Sequence, residues 1–287
     1  MPATIGVIGG SGLYDMPGLT DREEVSIDTP FGAPSDQFVL GTIADQRVVF
    51  LPRHGRGHRL LPSEVPSRAN IYAFKQLGVR WLISVSAVGS LREDLPPGTL
   101  VLPDQLIDRT RGVRPFTFFG EGLVAHVAFD KPLCTDLRAK LAEAIRSVGQ
   151  DVVDQATLCV MEGPQFSTKA ESEFHRHNGF DLIGMTALPE AKLAREAEIA
   201  YATLALVTDY DVWHPEHDSV TVDAVVQVIQ HNVANAQAVI AAVVPLLSDA
   251  PTCTCTSALQ NAIMTAPSAV PAATRERLDL LVGKYLG

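Results

Sequence analysis

Two stretches of this chain, Trp81 to Ser86 and Ala202 to Thr208, are nearly continuous apolar runs of strand length. A strand that is apolar on both faces is stable only between two covering layers, as in the centre of a helix-flanked sheet. Helical spacing recurs around these runs. Ser67 to Leu77 follows Pro66, stops at Gly78 and places Ile71, Phe74 and Leu77 on one side. Pro132 to Val148 carries Leu133, Leu137, Leu141, Ile145 and Val148 and ends at Gly149; Val222 to Leu247 is long and strongly apolar, with Pro245 marking its end. Ile5 to Ile8 reads as a buried first strand, and Phe38 to Thr42 with Arg47 to Leu51 as a strand pair joined by the Ala44-Asp45-Gln46 turn. This alternation predicts one α/β domain, and the tail from Ala266 predicts a helical C-terminal extension around Arg275 to Tyr285.

Composition narrows the function. With 23 Lys+Arg against 33 Asp+Glu the net charge is −10, which offers no footprint for a general nucleic-acid binder. The longest apolar run, Ala238 to Leu247, is too short to cross a bilayer. The start, Met-Pro-Ala-Thr-Ile, lacks a secretory signal pattern, so a cytoplasmic protein is expected. Four cysteines do not make a disulfide framework. Cys253 and Cys255 form a C-x-C that could bind metal or bridge. No second Cys or His cluster stands nearby in the sequence, and reduced thiols are the expectation.

Five segments could carry chemistry. Gly9-Gly10-Ser11-Gly12 follows a strand, where glycines let the backbone approach an anion; it matches neither the dinucleotide nor the nucleoside-triphosphate fingerprint. Pro52-Arg53-His54-Gly55-Arg56-Gly57-His58-Arg59 is a dense basic stretch in an acidic chain and suits a doubly charged oxyanion. His54 and His58 as metal ligands lack an accompanying carboxylate. Ser84 to Ser90 ends an apolar strand in hydroxyls and glycine, where ligands sit in open α/β sheets. Met161-Glu162-Gly163-Pro164-Gln165-Phe166-Ser167-Thr168 offers a carboxylate to clamp a hydroxylated ligand and an aromatic ring to stack on a planar base. Gly184-Met185-Thr186 and Val207-Thr208-Asp209-Tyr210-Asp211 make the fifth pair, with two carboxylates just past a buried strand. A metal set of Asp211, His214, His217 and Asp218 is the weaker alternative there.

Taken together, G-G-S-G-L, P-R-H-G-R-G-H, S-A-V-G-S-L, M-E-G-P-Q-F-S-T-K-A-E-S, G-M-T-A-L-P-E-A and T-D-Y-D-V-W resemble the trimeric purine nucleoside phosphorylase family, from Thr4 to about Leu247. The resemblance implies a single domain with a mixed central β-sheet flanked by helices over 1–250, and a helical extension over 251–287 packed on the same domain. It implies phosphate attack on C1' of a purine nucleoside, and most closely the conversion of 5'-methylthioadenosine to adenine and 5-methylthioribose 1-phosphate. The alternatives are a 6-oxopurine substrate or a non-catalytic nucleoside-binding protein. By motif, Ser11, Arg53, His54, Ser86 and Ala87 would form the phosphate site, Met185 and Glu162 would hold the ribose, and Phe166, Ser167 and Thr186 would line the base pocket. Asp209 and Asp211 would read the purine edge; Asp209, Ser86 and His54 would be catalytic. Val222, Val225 and Val226 would line a pocket for the 5' substituent, with His126 reaching in from a neighbouring subunit. Ser11 and Ser86 stand where many members carry Thr, which keeps the hydroxyl. The resemblance implies a homotrimer with no metal and no organic cofactor, inorganic phosphate being a co-substrate, and neither a nucleic acid nor a membrane as partner.

Overall fold

The computed structural model describes residues 4–214, 222–247 and 250–287, with backbone alone at 11 and 222–231. Its mixed sheet runs in spatial order through β2 (Thr20–Val25), β3 (Phe38–Ile43), β4 (Gln46–Pro52), β1 (Ile5–Gly9), β5 (Trp81–Ser90), β10 (Leu182–Gly184), β9 (Thr157–Met161) and β7 (Gln105–Arg109). A branch leaves β5 through β11 (Ala200–Asp209), β6 (Leu100–Val101) and β8 (Val152–Val153). β5 is parallel to β1 and β11 and antiparallel to β10.

The pleat decides what each strand buries. Phe38 and Leu40 of β3 enter one apolar cluster and Val39 enters the other. On the first face lie α1 (Ser67–Gln76), α4 (Ala187–Glu196) and α6 (Ala272–Leu286), contributing Ile71 and Phe74, Leu193, and Leu278, Leu281, Val282 and Leu286. The second face carries α2 (Thr135–Ser147) and α5 (Val222–Val243), with Leu137, Leu141 and Ile145 against Val239, Ile240 and Val243. α3 (Lys169–His177) starts at a capping box in which Thr168 Oγ1 accepts from Glu171 N and Glu171 accepts from Thr168 N.

The two apolar runs are the strands expected, but β5 continues to Ser90. The hydroxyl and glycine residues 86–90 that end the run are themselves extended strand. α2 begins at Thr135 rather than Pro132, because the Cys134 side chain caps it, accepting from Leu137 N. β2 carries Asp21, Arg22, Glu23 and Glu24 on an exposed edge, a pattern with no apolar alternation to announce it. Folding also corrects the reading of the C-x-C as isolated: Cys134 Sγ lies 3.4 Å from Cys253 Sγ. All four cysteines are free.

Candidate active site

The site originates in how β5 is paired. β11 covers one edge of β5 from Trp81 to Gly89. On the other edge β1 pairs with Trp81 to Ser84 and stops at Gly9, while β10 pairs only with Gly89 and Ser90. Residues 85–88 are therefore left without a strand partner on that edge. A cavity of about 440 Å³ opens there, lined by Val85 to Gly89 together with Gly10, Gly12 and Leu13 after β1, and Arg53, His54, His58 and Pro62 after β4. Ile183 to Thr186 from β10, Thr208, Asp209 and Asp211 from the end of β11, and Val233 of α5 complete much of the wall.

One end of the cavity is polar but weakly charged. Ser86 Oγ and Thr186 Oγ1 meet at 3.0 Å, beside the exposed backbone of Ala87. Thr186, expected in the base pocket, lines the same cavity and meets Ser86 there. Arg53 lines this end but does not offer the bidentate fork expected for an oxyanion. Its Nε donates to Glu190 Oε1 at 2.5 Å and its Nη2 to Glu190 Oε2 at 3.1 Å and Ser84 Oγ at 2.7 Å. Nη1 donates to Val85 O at 3.0 Å. Glu190 is 1% exposed and also accepts from Tyr201 Oη. The basic stretch is similarly engaged elsewhere, Arg56 paired with Glu24 and Arg59 donating to Ser35 O near the Asp36 carboxylate.

His54 adds no positive charge near neutral pH. Burial and then the Arg53 guanidinium push its pKa down to about 4. Its Nδ1 donates to Leu60 O at 2.8 Å, which leaves Nε2 as an acceptor. His54 and His58 stack with centroids 4.4 Å apart.

The opposite end holds two buried carboxyls. Asp209 Oδ1 accepts from Asp211 N at 2.8 Å. Thr208 Oγ1 lies 2.7 Å from Asp209 Oδ2 and 3.2 Å from Val88 O. A hydroxyl has one hydrogen, so both contacts are satisfied together only when Asp209 is protonated: Asp209 then donates to Thr208, which donates to Val88 O. Burial raises the Asp209 pKa against the pull of Thr208 and the Asp211 amide. Burial raises Asp211 as well, with the Ser172 and Ser167 hydroxyls opposing. Gly89 makes room for this group: a Cβ there would lie 2.9 Å from Asp209 Oδ1 and 3.0 Å from Ile183 Cγ2.

A Phosphorylase superfamily family model matches residues 4–245, about 84% of the chain. The chain belongs to the phosphorylase superfamily. It is 62% identical to the S-methyl-5'-thioadenosine phosphorylase of Chloroflexus aurantiacus over 99% of this chain and 98% of that one. It is 56% identical to that of Geobacter sulfurreducens over 100% of both. Among solved structures, a methylthioadenosine phosphorylase from an antarctic soil metagenomic library superposes with a TM-score of 0.93 at 52% identity, covering 98% of this chain and 99% of that one. The Schistosoma mansoni methylthioadenosine phosphorylase in complex with adenine gives 0.85 at 36% identity over 91% and 99%.

In this phosphorylase-superfamily chain, Arg53, His54, Ser86, Ala87, Phe166, Met185, Thr186, Asp209 and Asp211 converge on the one cavity. Ser167 is buried behind Asp211. Glu162 is not in the wall. Its Oε1 accepts from Arg114 Nε at 2.6 Å and its Oε2 from Arg111 N at 2.7 Å, and these bonds hold its pKa low although burial raises it. Arg114 also donates to Met185 O and Leu188 O, so Glu162 is linked to the cavity only through Arg114 and Met185. Gly163 meets the same residue from the other side, with φ of 68° and no room for a Cβ beside Met185 Sδ. His126 is exposed on an irregular segment away from the cavity, its N donating to Ala262 O. The side chains of Ser11, Val222, Val225 and Val226 lie outside the described residues, as do His217 and Asp218. His214 stacks on Tyr210 and contacts Glu93.

Sequence reasoning missed Arg114, Glu190 and Val233. Nothing in the order of Arg109, Arg111 and Arg114 marks which is buried. Glu190, a lone acid in the first apolar turn of α4, was a usable signal. Val233 falls seven residues after position 226 and eleven after 222, on the same helical face.

Proposed function

We propose that this chain catalyses phosphorolysis of 5'-methylthioadenosine to adenine and 5-methylthioribose 1-phosphate. The observation that carries this reading is Asp209, a buried carboxyl with a raised pKa at the far end of a cavity from the Ser86–Thr186 hydroxyl pair. The methylthioadenosine phosphorylases at 49–62% identity over nearly the whole chain support it.

From Ser86 to Gly89 is three strand steps, about 10 Å. That reach suits phosphate at one end, ribose in the middle and purine against Asp209. Phosphate takes hydrogen bonds from Ser86, Thr186 and the backbone of Ala87, and neutral His54 accepts from a protonated phosphate oxygen. One phosphate oxygen attacks C1' as the C1'–N9 bond breaks, and the electron pair leaves on the purine. Asp209 gives its proton to N7, so the base departs neutral. Thr208 then turns its hydrogen from Val88 O to the new carboxylate. Adenine adds an N6 amino donor, which a carboxyl accepts; a 6-oxopurine presents an acceptor there and leaves the site unpaired. Met185 and Phe166 cover the sugar and base, and Val233 of α5 offers apolar surface for the methylthio group.

The same reading has the chain working as a cytoplasmic homotrimer. Val113, Phe116 and Val124 are exposed around the His126 segment, an apolar surface suited to a neighbouring copy. Among the described residues no helix is long and apolar enough to cross a membrane.

Adenine and 5-methylthioribose 1-phosphate should form in equal amounts from 5'-methylthioadenosine only when phosphate is present. Adenine release without phosphate makes the chain a hydrolase and contradicts the reading. A scattering mass of one chain with full activity contradicts the trimer.

A further inference from the structure

Cys134 and Cys253 are 119 residues apart in sequence, yet the C-terminal segment closes a cluster over the start of α2. The Sγ atoms of Cys134, Cys253 and Cys255 all lie within 4.8 Å of one another. Cys134 and Cys255 are buried and Cys253 is half-buried. None of the three lines the catalytic cavity.

A backbone donor and a guanidinium stand beside these sulfurs. Cys134 Sγ accepts from Leu137 N in the first turn of α2, where the helix end stabilises a thiolate. The guanidinium of buried Arg195, which donates to Ala128 O and Lys131 O, lies near enough to act on Cys255 electrostatically.

We propose that Cys134, Cys253 and Cys255 form a trithiolate site for one thiophilic divalent cation of the zinc type, with the fourth coordination position open to solvent beside half-buried Cys253. Tetrahedral zinc–sulfur bonds of about 2.3 Å set the sulfurs about 3.8 Å apart, inside the span they already occupy. Charge selects the valence. Three thiolates, a divalent ion and Arg195 sum to zero, whereas a monovalent copper ion leaves one negative charge in a largely buried setting. The thiol protons leave to solvent as the ion binds. Bound there, the ion ties the C-terminal segment to α2 and closes a loop of more than a hundred residues.

The test uses the full chain, reduced and stripped with chelator, then loaded with Zn²⁺ or Co²⁺ and passed through gel filtration. The expected result is one ion per chain, a thiolate-to-cobalt charge-transfer band, and a higher Tm with zinc than without. Cys253→Ser, at the most accessible position, should lose the retained ion and the band while keeping phosphorolytic activity; Cys159→Ser should keep both. If Cys134→Ser fails to fold, Cys253→Ser alone decides. No zinc retained by the reduced wild type, equal retention by Cys253→Ser, or a cobalt complex without the sulfur band overturns the site. Uptake of Cu⁺ with no uptake of Zn²⁺ overturns its divalent character. A Cys134–Cys253 disulfide that forms in air, with no metal uptake after reduction, also overturns it.

Discussion

Asp209 competes with Val88 O for the one hydrogen of Thr208, which can serve either Val88 O or the carboxylate but not both, while burial raises the Asp209 pKa. Thr208→Val removes that rotor and leaves Val88 O without this partner and the spent carboxylate one bond short. The expected loss in kcat/KM is about tenfold, from the roughly 1–3 kcal/mol cost of an unsatisfied buried group. The measurement is steady-state kinetics against phosphate and nucleoside separately, and phosphate KM should be unchanged. Gly89→Ala should act on the same carboxyl by contact, since the new Cβ falls 2.9 Å from Asp209 Oδ1. Overpacking of this kind costs about 1–3 kcal/mol, and it should blunt the choice between 6-amino and 6-oxo substrates. Arg53→Ala reads differently from the behaviour of a simple phosphate ligand. It strands Glu190, which is 1% exposed, so a loss of about 3–5 kcal/mol in unfolding free energy is expected alongside weaker phosphate binding. Unchanged stability with only a raised phosphate KM would return Arg53 to the role of a free anion fork. That these residues would gather in one cavity was legible from residue type and spacing, since hydroxyls, glycines and carboxyls stand just past buried strands. Which partners neutralise Arg53 and Glu162 was not legible, because the pairings with Glu190 and Arg114 form only in the folded chain, although a lone acid at Glu190 was itself a signal.

At the scale of elements, the cavity exists because two strands share one edge of β5 and leave residues 85–88 between them. Central strands and amphipathic helices were readable from apolar runs, since burial on two faces or one leaves a periodic trace. That β10 would dock antiparallel at Gly89 and Ser90 leaves no such trace. The three-residue Leu182–Gly184 carries too little pattern, and its register is fixed by β9 beside it. The turn between β9 and α3 depends on the Glu162–Arg114 pair, which fastens the Met185 and Leu188 carbonyls to the same guanidinium. Glu162→Ala should therefore lower Tm and raise nucleoside KM together, by about 1–3 kcal/mol in stability. A carboxylate bonded directly to the sugar would raise KM with Tm unmoved, so thermal melts beside kinetics separate the two.

The molecule as a whole carries a pH dependence that follows from His54. Its pKa is about 4 when folded, against an ordinary value of 6.5. Above pH 6.5 the ring is neutral folded and unfolded, and it contributes no slope. As pH falls from about 6.5 towards 4 the unfolded chain takes up a proton that the folded chain refuses, so stability is lost across that window. Denaturation midpoints over this range should fall for the wild type and fall less for His54→Gln. Activity has the opposite limit on the proposed mechanism: with Asp209 as the acid, turnover should decline as pH rises through its raised pKa. The central claim is that this protonated carboxyl both protonates the leaving base and selects a 6-aminopurine. The direct measurement is the ratio of kcat/KM for 5'-methylthioadenosine to that for inosine, in the wild type and in Asp209→Asn. The account predicts a strong wild-type preference for methylthioadenosine. It also predicts a ratio that falls by two orders of magnitude or so in the variant, since an amide cannot supply the N7 proton but can donate to O6. A wild type that prefers inosine, or a ratio unchanged by the substitution, would contradict it.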